Sequence, residues 1–457
     1  MLFLSRGCSI LFAIFCFSPA LFASDTPFRL ATFEADVTIP LGHRCMGILP
    51  TKSKAVLDPL EARGFVLLSD QKPVVLVAVD WCEIRNGAYD EWRDALAKAA
   101  GTTRERVLVS SLHQHDAPVT DREAQRLLDS VGMEHELYDP AFQAECLKHL
   151  SDALKASLPE ARPVTHLGIG QTKVEGIASS RRVVLEDGTI SWGRYSASGG
   201  DGFHKNAPDG PIDPFLKTIT FFQNEEPLLM LHAYATHPMS FYGRGDVSSD
   251  FVGLARRRMQ REHPRAFQIY VSGCSGDVTA GKYNDGTPAA RELLTQRLFE
   301  SMEKSWQATT KLPLTSLAFR NDSFDLPFHE GEEFRREHLE RTLKNDQAKE
   351  GDRILAAMSL SSLDRKARGQ KIDMPCLDLG PAQIVLFPGE AFVGYQLIAQ
   401  EMRPDSFVMG IGYGECWPGY VPTKAAFDDN FNHDWRWAGR GSETIIRKSL
   451  EEVLQSR

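Results

Sequence analysis

The chain has 457 residues and a formal net charge of −9, and its lysines and arginines form no continuous basic run. Because phosphate binding depends on clustered positive charge, these features argue against nucleic acid as a partner. Hydrophobic residues make up 42% and charged residues 25% of the chain, which is typical of a soluble globular protein. The length allows one large enzyme unit or about three average domains.

The first residues have the features of an export signal. Arg6 precedes the apolar run Ile10–Phe17, which Pro19 interrupts soon afterwards. This run is too short to span a bilayer comfortably, so a cleaved signal over residues 1–23 is favoured over a membrane anchor. We therefore expect an exported protein, periplasmic or secreted, whose mature part is 24–457.

Short apolar runs alternate with helical patterns along the rest of the chain. Strands are predicted at 65–68, 74–79, 106–110, 216–222, 228–234, 267–271 and 384–387, with a hairpin at 183–191. Helices are predicted at 86–100, 139–158 and 288–306. The charged stretch 329–370 is predicted to be a helical surface insertion or a link between lobes. This alternation predicts an α/β fold with mixed α+β layers.

The sharpest local signal is a predicted strand that runs into two histidines, His113 and His115. Side chains alternate along a strand, so a spacing of two residues places both imidazoles on one face. Two imidazoles at a strand end suit zinc, and Asp116 is placed to orient one of them. A polar strand end with surface histidines is the alternative.

A second apolar strand, at 228–234, leads to His237, where a following proline ends regular structure. His232 lies within that strand and is interpreted as a core histidine. A third strand end, after 384–387, leads through Pro-Gly to Glu390, whose carboxylate is suited to be an anionic zinc ligand. Taken alone, Glu390 is better explained as a loop carboxylate or a helix cap.

The strand at 267–271 enters a loop rich in glycine and hydroxyl residues, at 272–281. Glycines let backbone amides approach a ligand, and hydroxyls such as that of Thr279 donate to a developing oxyanion. Cys274 or Ser275 is the alternative nucleophile, although Asp277 stands where a nucleophile elbow requires glycine.

Taken together and in this order, these segments resemble the catalytic part of neutral (non-lysosomal) ceramidases and their shorter bacterial relatives. Ser180-Arg181 resembles the Asn-Arg pair of that family, with Arg182 as the alternative arginine. The other motifs that carry the resemblance lie at 112–118, 237–240 with 248–250, 276–281, 388–390 and 420–423.

The resemblance implies a ceramidase-like catalytic domain with mixed β-sheets flanked by helices. It also implies one zinc ion per chain, held by His113, His237, Glu390 and Tyr420. His115 and Arg181 would bind or polarise the substrate. Each of these six residues stands at the position of this chain that matches the family motif.

Three features depart from the family pattern. Thr279 replaces the active-site serine, and Asp116 replaces the serine after the histidines. The chain ends at Arg457, so no C-terminal immunoglobulin-like domain is expected. A smaller or more polar amide than ceramide is therefore the alternative substrate.

The leading hypothesis is zinc-dependent hydrolysis of a linear, N-acyl-type amide by activated water. Thr279, Tyr420 or Arg181 would stabilise the oxyanion, and His115 would pass a proton to the leaving amine. The expected partner is a small-molecule or lipid amide, which is compatible with peripheral membrane contact, and no partner protein is predicted. The alternatives are a zinc-dependent esterase or phosphoesterase and a non-catalytic lipid- or glycan-binding protein.

Overall fold

The computed structural model describes residues 27–46 and 51–455. The predicted export signal, at 1–23, lies outside the described residues. Within the described parts, no helix combines the length and the apolar character that a membrane crossing requires. The helices are α1 Asn86–Ala100, α2 Arg122–Asp129, α3 Pro140–Ser157, α4 Gly202–Asn206, α5 Asp250–Glu262, α6 Pro288–Gln307, α7 Arg336–Lys344, α8 Glu350–Ala367, α9 Val393–Met402, α10 Lys424–Asp428 and α11 Ser442–Val453.

Three larger sheets organise the described residues. The first sheet has the strand order Val107–Ser111, Val74–Val79, Glu61–Leu68, Arg29–Asp36 and Arg162–Pro163. The second has the order Phe267–Ser272, Glu226–Tyr234, Phe215–Gln223, His166–Lys173 and Thr310–Pro313. The third has the order Ala318–Phe324, Ile372–Asp378, Ala382–Leu386 and Phe407–Ile411.

Outside these three sheets, shorter strands pair with one another and join segments that are far apart in the chain. They are Glu83–Arg85 with Val119–Asp121, Ser179–Ser180 with Val278–Thr279, Val183–Val184 with Ile190–Ser191, Ala55–Val56 with Asp246–Val247, and Glu390–Ala391 with Tyr420–Val421. The pairing of 183–184 with 190–191 forms the hairpin predicted at 183–191.

Each large sheet contains one parallel strand pair, and a helix connects the two strands of each pair. Helix α1 connects Val74–Val79 to Val107–Ser111, α5 connects Glu226–Tyr234 to Phe267–Ser272, and α9 connects Ala382–Leu386 to Phe407–Ile411. The remaining pairs in these sheets are antiparallel. Each of the three mixed sheets therefore contains one βαβ unit.

The first and second sheets pack face to face between two layers of helices. The Phe65 ring of the first sheet lies 5.5 Å from the Phe221 ring of the second. Val66 and Val77 point the other way, into a core shared with α1 and α3. Helices α5 and α6 pack against the second sheet. The predicted layering of mixed sheets and helices is confirmed.

The segment 329–370, which was predicted to be a helical surface insertion, is more buried in the structure than that prediction implies. Residues 336–344 and 350–367 are helical, but α8 is buried along most of its length. Ile354 and Met358 belong to a core that includes Met374 of the third sheet. Small residues such as Ser361 let α8 approach its neighbours closely, and the Ser361 hydroxyl donates to Asp121 at 2.7 Å. The charges that suggested a surface lie at 330–353 and 364–368, and the stretch 354–363 between them, which contains most of the buried residues of α8, has none.

Gly170 provides the first testable prediction because α6 crosses its strand with no room for a side chain. A Cβ atom at this position would lie 2.1 Å from the Ser305 carbonyl oxygen. Gly170→Ala is therefore expected to destabilise the protein by about 1–3 kcal/mol, measured by thermal or urea unfolding. Gly200→Ala is the control, since a Cβ there meets nothing within 4 Å. Equal stability of the two variants would contradict the prediction.

Candidate metal centre

The three sheets meet at the carboxyl ends of their parallel strands. The Ser111 amide donates to the Tyr413 carbonyl at 3.1 Å, and the Gly412 amide donates to the Ser272 carbonyl at 2.9 Å. The Ser272 hydroxyl donates to the Leu112 carbonyl at 2.8 Å. These contacts join one strand end from each sheet, so the loops that follow the strands converge on one place.

Three of the predicted ligands lie together at this convergence. Glu390 Oε2 is 3.0 Å from His237 Nε2 and 3.2 Å from His113 Nε2. The possible ligand atoms of these three residues all lie within 4.8 Å of one another, and all three residues are buried. His113 follows a strand of the first sheet, His237 one of the second and Glu390 one of the third.

The backbone at His113 is in the left-handed region, with φ at +65°. A non-glycine residue adopts this conformation only where the surrounding contacts hold it there. The His113 amide donates to the Trp81 carbonyl at 2.9 Å, and its ring stacks on Tyr413 with centroids 4.5 Å apart. These contacts end the strand abruptly and fix the direction of the imidazole.

Backbone carbonyls determine which nitrogen of each ligand histidine carries the proton. His113 Nδ1 lies 3.2 Å from the Cys82 carbonyl, and His237 Nδ1 lies 2.6 Å from the Ser275 carbonyl. Since a carbonyl only accepts, each Nδ1 is the donor and each neutral ring presents an Nε2 lone pair to Glu390. Two lone pairs and a carboxylate oxygen therefore converge, and only a shared proton or a cation can bridge them. This acceptor set fits a divalent metal such as zinc.

The pKa shifts of His237 and Glu390 agree with this fit, whereas that of His113 favours a proton that a bound metal ion would have to displace. Burial, with a smaller contribution from Arg181, lowers the pKa of His237 to about 4. Burial alone would raise the pKa of Glu390, but His113 and His237 outweigh it and hold the pKa well below its ordinary value. Burial also lowers the pKa of His113, but the charge of Glu390 reverses the net shift. A neutral imidazole and an ionised carboxylate are the states that metal ligation requires.

Tyr420 lies beside Glu390 because the two residues are direct partners in a parallel strand pair. Arg181 Nη1 donates to the Tyr420 hydroxyl at 2.8 Å. Burial raises the pKa of Tyr420, and Arg181 partly opposes that shift. Arg181 Nε is buried and has no hydrogen-bond partner among the described residues. The cluster thus includes a phenol and a guanidinium that retains a free donor.

His115 borders the cluster without sharing the Glu390 contact. Its Nε2 lies 3.3 Å from His113 Nε2, while its buried Nδ1 has no hydrogen-bond partner in the described structure. Burial, reinforced by His113, lowers the pKa of His115 well below its ordinary value. Cys82, His113 and His115 form a second group of possible metal ligands, which shares His113 with the first.

Thr279 is buried next to His237 but does not line the cavity above the cluster. Its hydroxyl accepts from the Gly281 amide at 3.2 Å, and its backbone pairs with Ser179 and bridges to His237.

Cys274 is also fully buried, and burial raises the pKa of its thiol well above the ordinary value. The thiol is therefore protonated, which disfavours the alternative of a cysteine nucleophile.

Two further sequence-based assignments concern residues that point elsewhere. Asp116 Oδ1 accepts from the Gly245 amide at 2.8 Å instead of orienting a histidine. Arg182, the alternative to Arg181, forms an ion pair with Asp429 at 2.5 Å. Neither residue lines the cavity above the cluster.

A cavity of about 340 Å³ opens directly above the cluster. The predicted residues His113, His115, Arg181, Glu390 and Tyr420 line it. It is also lined by residues that sequence reasoning did not single out, which are Met46, Cys82, Tyr195, Ser196, Met239, Tyr242, His433 and Trp435.

His433 is the most informative of the residues that were missed. Its Nδ1 accepts from the Trp435 amide at 3.0 Å, so the ring proton is on Nε2. Its ring lies 4.8 Å from that of Tyr420. No apolar strand precedes His433 in the sequence, so the signal that identified the other histidines is absent here.

The fold and the site together define an α/β protein with a candidate His-His-Glu metal centre at the joined ends of three βαβ units. The fold is similar to that of neutral ceramidase from Pseudomonas aeruginosa, with a TM-score of 0.69 and 15% identity over 94% of this chain and 74% of that chain. A ceramidase complexed with C2 gives the same TM-score and identity over 94% of this chain and 75% of that one. No family model and no curated protein matches the sequence. The predicted resemblance to neutral ceramidases is confirmed as a likeness of fold.

Proposed function

We propose that this protein is a zinc-dependent hydrolase of a linear amide of the N-acyl type. The observation that carries the proposal is the convergence of two imidazole Nε2 atoms and a carboxylate oxygen beneath a cavity. The similarity of the fold to that of neutral ceramidases favours amide hydrolysis over other reactions that such a centre supports. The substrate is a ceramide-like lipid or a smaller N-acyl amine.

His113, His237 and Glu390 would hold the ion, and Tyr420, the strand partner of Glu390, would be its fourth ligand. When bound, zinc polarises a carbonyl oxygen and makes water acidic enough to act as a nucleophile near neutral pH. The residues of the chain orient the amide, exclude bulk water and move the proton.

Arg181 is the proposed oxyanion stabiliser, and Tyr420 takes this role only if it is not the fourth ligand. Arg181 lines the cavity, carries a permanent charge and keeps its Nε donor free. Donors already in place at a buried oxyanion stabilise it strongly because they need no reorganisation. Thr279, which was also predicted for this role, has its hydroxyl engaged with Gly281 and is less suited to it.

His115 is the proposed proton carrier. Burial keeps its imidazole neutral, so it can take up a proton, and its Nδ1 has no competing partner among the described residues. It lines the cavity beside His113. From this position it would pass a proton to the leaving amine, which a linear amide needs for C–N cleavage.

The first experiment measures the metal content of the purified mature protein and then its activity. N-acyl amides, esters and phosphoesters of matched acyl length are compared on the zinc-loaded protein. One zinc per chain with preferred amide cleavage supports the proposal. Preferred ester or phosphoester cleavage would make it a zinc esterase or phosphoesterase, and stable zinc binding without turnover would favour a non-catalytic binding protein.

His433 provides a prediction that separates substrate contact from metal binding. His433→Phe removes the Nε2 donor from the cavity wall while leaving the three ligands intact, so kcat/KM is expected to fall about tenfold. Zinc content should stay at the wild-type value. His433→Gln, which keeps a side-chain donor, should recover part of the loss. A loss of zinc in His433→Phe would contradict a role limited to the substrate.

We also propose that the protein is exported, as expected from residues 1–23. The intact mass of protein recovered from the cell envelope or the medium is expected to lack these residues. An uncleaved chain retained in the cytoplasm would contradict the proposal.

A further inference from the structure

The loop that brings His433 and Trp435 to the first cavity also borders a second cavity of about 340 Å³. The wall of this second cavity includes His329, Phe427, Asn432, Arg436 and Arg440. None of them takes part in the proposed hydrolysis, and the second cavity contains no residue of the candidate metal centre.

Arg436 is an incompletely satisfied cation in the wall of this cavity. It is only 8% exposed, and Nη1 and Nη2 donate to the Ala438 carbonyl at 2.9 Å and to Asn432 Oδ1 at 3.0 Å. Its buried Nε has no hydrogen-bond partner, and no carboxylate of the described residues lies within 4.0 Å of the guanidinium. A buried charge without an ionic partner is costly, and an anion in the cavity would offset that cost.

His329 presents a second donor to the same place. Its Nδ1 accepts from the Gly331 amide at 2.9 Å, so the neutral ring carries its proton on Nε2. That Nε2 contacts the Arg436 guanidinium. Both groups therefore act as donors in the cavity wall, where Asn432 Oδ1 accepts from Arg436 and the Asn432 side chain is also hydrogen-bonded to His329.

Arg440 adds a second guanidinium to the cavity. Arg436 and Arg440 lie 5.2 and 5.3 Å from the centroid of the Phe427 ring. Asp428, which is 3.6 Å from Arg440, is also bound to Lys424 at 2.6 Å. Glu330 lines the cavity, the charge of Glu333 also acts on Arg436, and Arg440 Nη2 donates to the Phe427 carbonyl at 2.8 Å. Two guanidinium groups therefore lie close together at the cavity, and the buried Nε of Arg436 is left without a hydrogen-bond partner among the described residues.

We propose that this second cavity binds a phosphate-class oxyanion, either free phosphate or a phosphate ester. Guanidinium groups bind such oxygens through charge-assisted hydrogen bonds. The site would be connected to the metal centre through the backbone, because Arg436 bridges to Gly419 and the Trp435 carbonyl accepts from the Tyr420 amide at 3.0 Å. Occupancy would therefore stabilise the segment that positions Tyr420.

The test is calorimetric titration of the zinc-loaded protein with inorganic phosphate. Arg440→Gln, at an exposed position, and Arg436→Gln are each expected to weaken binding about tenfold or more. Arg335→Gln is the matched control, since Arg335 is exposed, pairs with Glu332 and lies outside this cavity. Circular dichroism checks that Arg436→Gln folds, and Arg440→Gln carries the test if it does not.

A soluble phosphate monoester and vesicles containing phosphatidic acid distinguish the source of the oxyanion. Tighter binding of the vesicles, lost in Arg440→Gln, would identify a lipid headgroup, and equal binding of phosphate and monoester would identify a soluble ligand. Absence of phosphate binding by the wild type, or binding that Arg440→Gln leaves unchanged, would overturn the proposal. The latter result would place the phosphate at the metal centre instead.

Discussion

Replacement of His237 by alanine is expected to remove tightly bound zinc and to lower kcat/KM for the N-acyl amide by about 1,000-fold. The variant leaves His113 and Glu390 as the remaining ligands of the cluster. A metal ion contributes several kcal/mol to stabilising charge in the transition state, and each 1.36 kcal/mol corresponds to a factor of ten in rate. Metal analysis of dialysed protein and steady-state kinetics measure the two effects.

His149→Ala is the matched control, because His149 is an exposed residue of α3 that belongs to neither group of possible ligands and does not line the cavity. Its zinc content and activity should equal those of the wild type. If His237→Ala does not fold, His113→Ala tests the same centre, with circular dichroism as the check on folding. A folded ligand variant that keeps both zinc and full activity would refute the proposed mechanism.

The second large effect is expected at the buried ion pair between Asp80 and Arg256. Arg256 Nη1 and Nη2 donate to Asp80 Oδ1 and Oδ2 at 2.7 and 2.8 Å, and Nη2 also donates to Glu61 Oε2 at 2.7 Å. This contact joins the first sheet to α5 of the second βαβ unit. Burial alone would lower the pKa of Arg256, but the Asp80 carboxylate outweighs it and raises the pKa.

Arg256→Met is expected to lower the free energy of unfolding by about 3–5 kcal/mol, because it leaves the Asp80 carboxylate buried without its cation. Urea denaturation measures the change. Arg258→Met is the control, since Arg258 pairs with the exposed Glu292 and its loss should cost within about 0.5 kcal/mol. Equal stability of the two variants would show that the Asp80–Arg256 pair does not hold the sheets together.

Much of the candidate site was accessible from the sequence because three ligands follow apolar strands. The strands before His113, His237 and Glu390 show as short apolar runs, and the polar residue after each run marks its end. Strand ends are where loops build sites, so the local pattern made these positions candidates, and the resemblance to ceramidases favoured Glu390 as a ligand over a loop carboxylate. Tyr420 and Arg181 came from the resemblance to ceramidases, since neither follows a long apolar run.

Other strands were missed because their local pattern is weak. His166–Lys173 contains two glycines and several polar residues, so it lacks the apolar run of a buried strand. Gly170 is explained by α6, whose Ser305 carbonyl lies where a side chain would be, and Gly168 by the side chains of Thr309 and Phe222. Ala318–Phe324 is only partly buried and rich in polar residues, and it becomes a strand by pairing with Ile372–Asp378.

The sequence by itself determined where several strands end, that a helix at 86–100 connects two of them, and which side chains have the chemistry of metal ligands. It did not predict the other two connecting helices, α5 and α9. Only the tertiary structure decided that His113, His237 and Glu390 share one place and that His433 faces their cavity. It also decided that Thr279 and Asp116 do not line that cavity and that α8 is buried. The physical reason is that hydrophobic patterning records only whether a residue faces a core. The meeting of strand ends from different sheets depends on contacts between residues far apart in the chain, such as those of Ser111 with Tyr413 and Ser272 with Leu112.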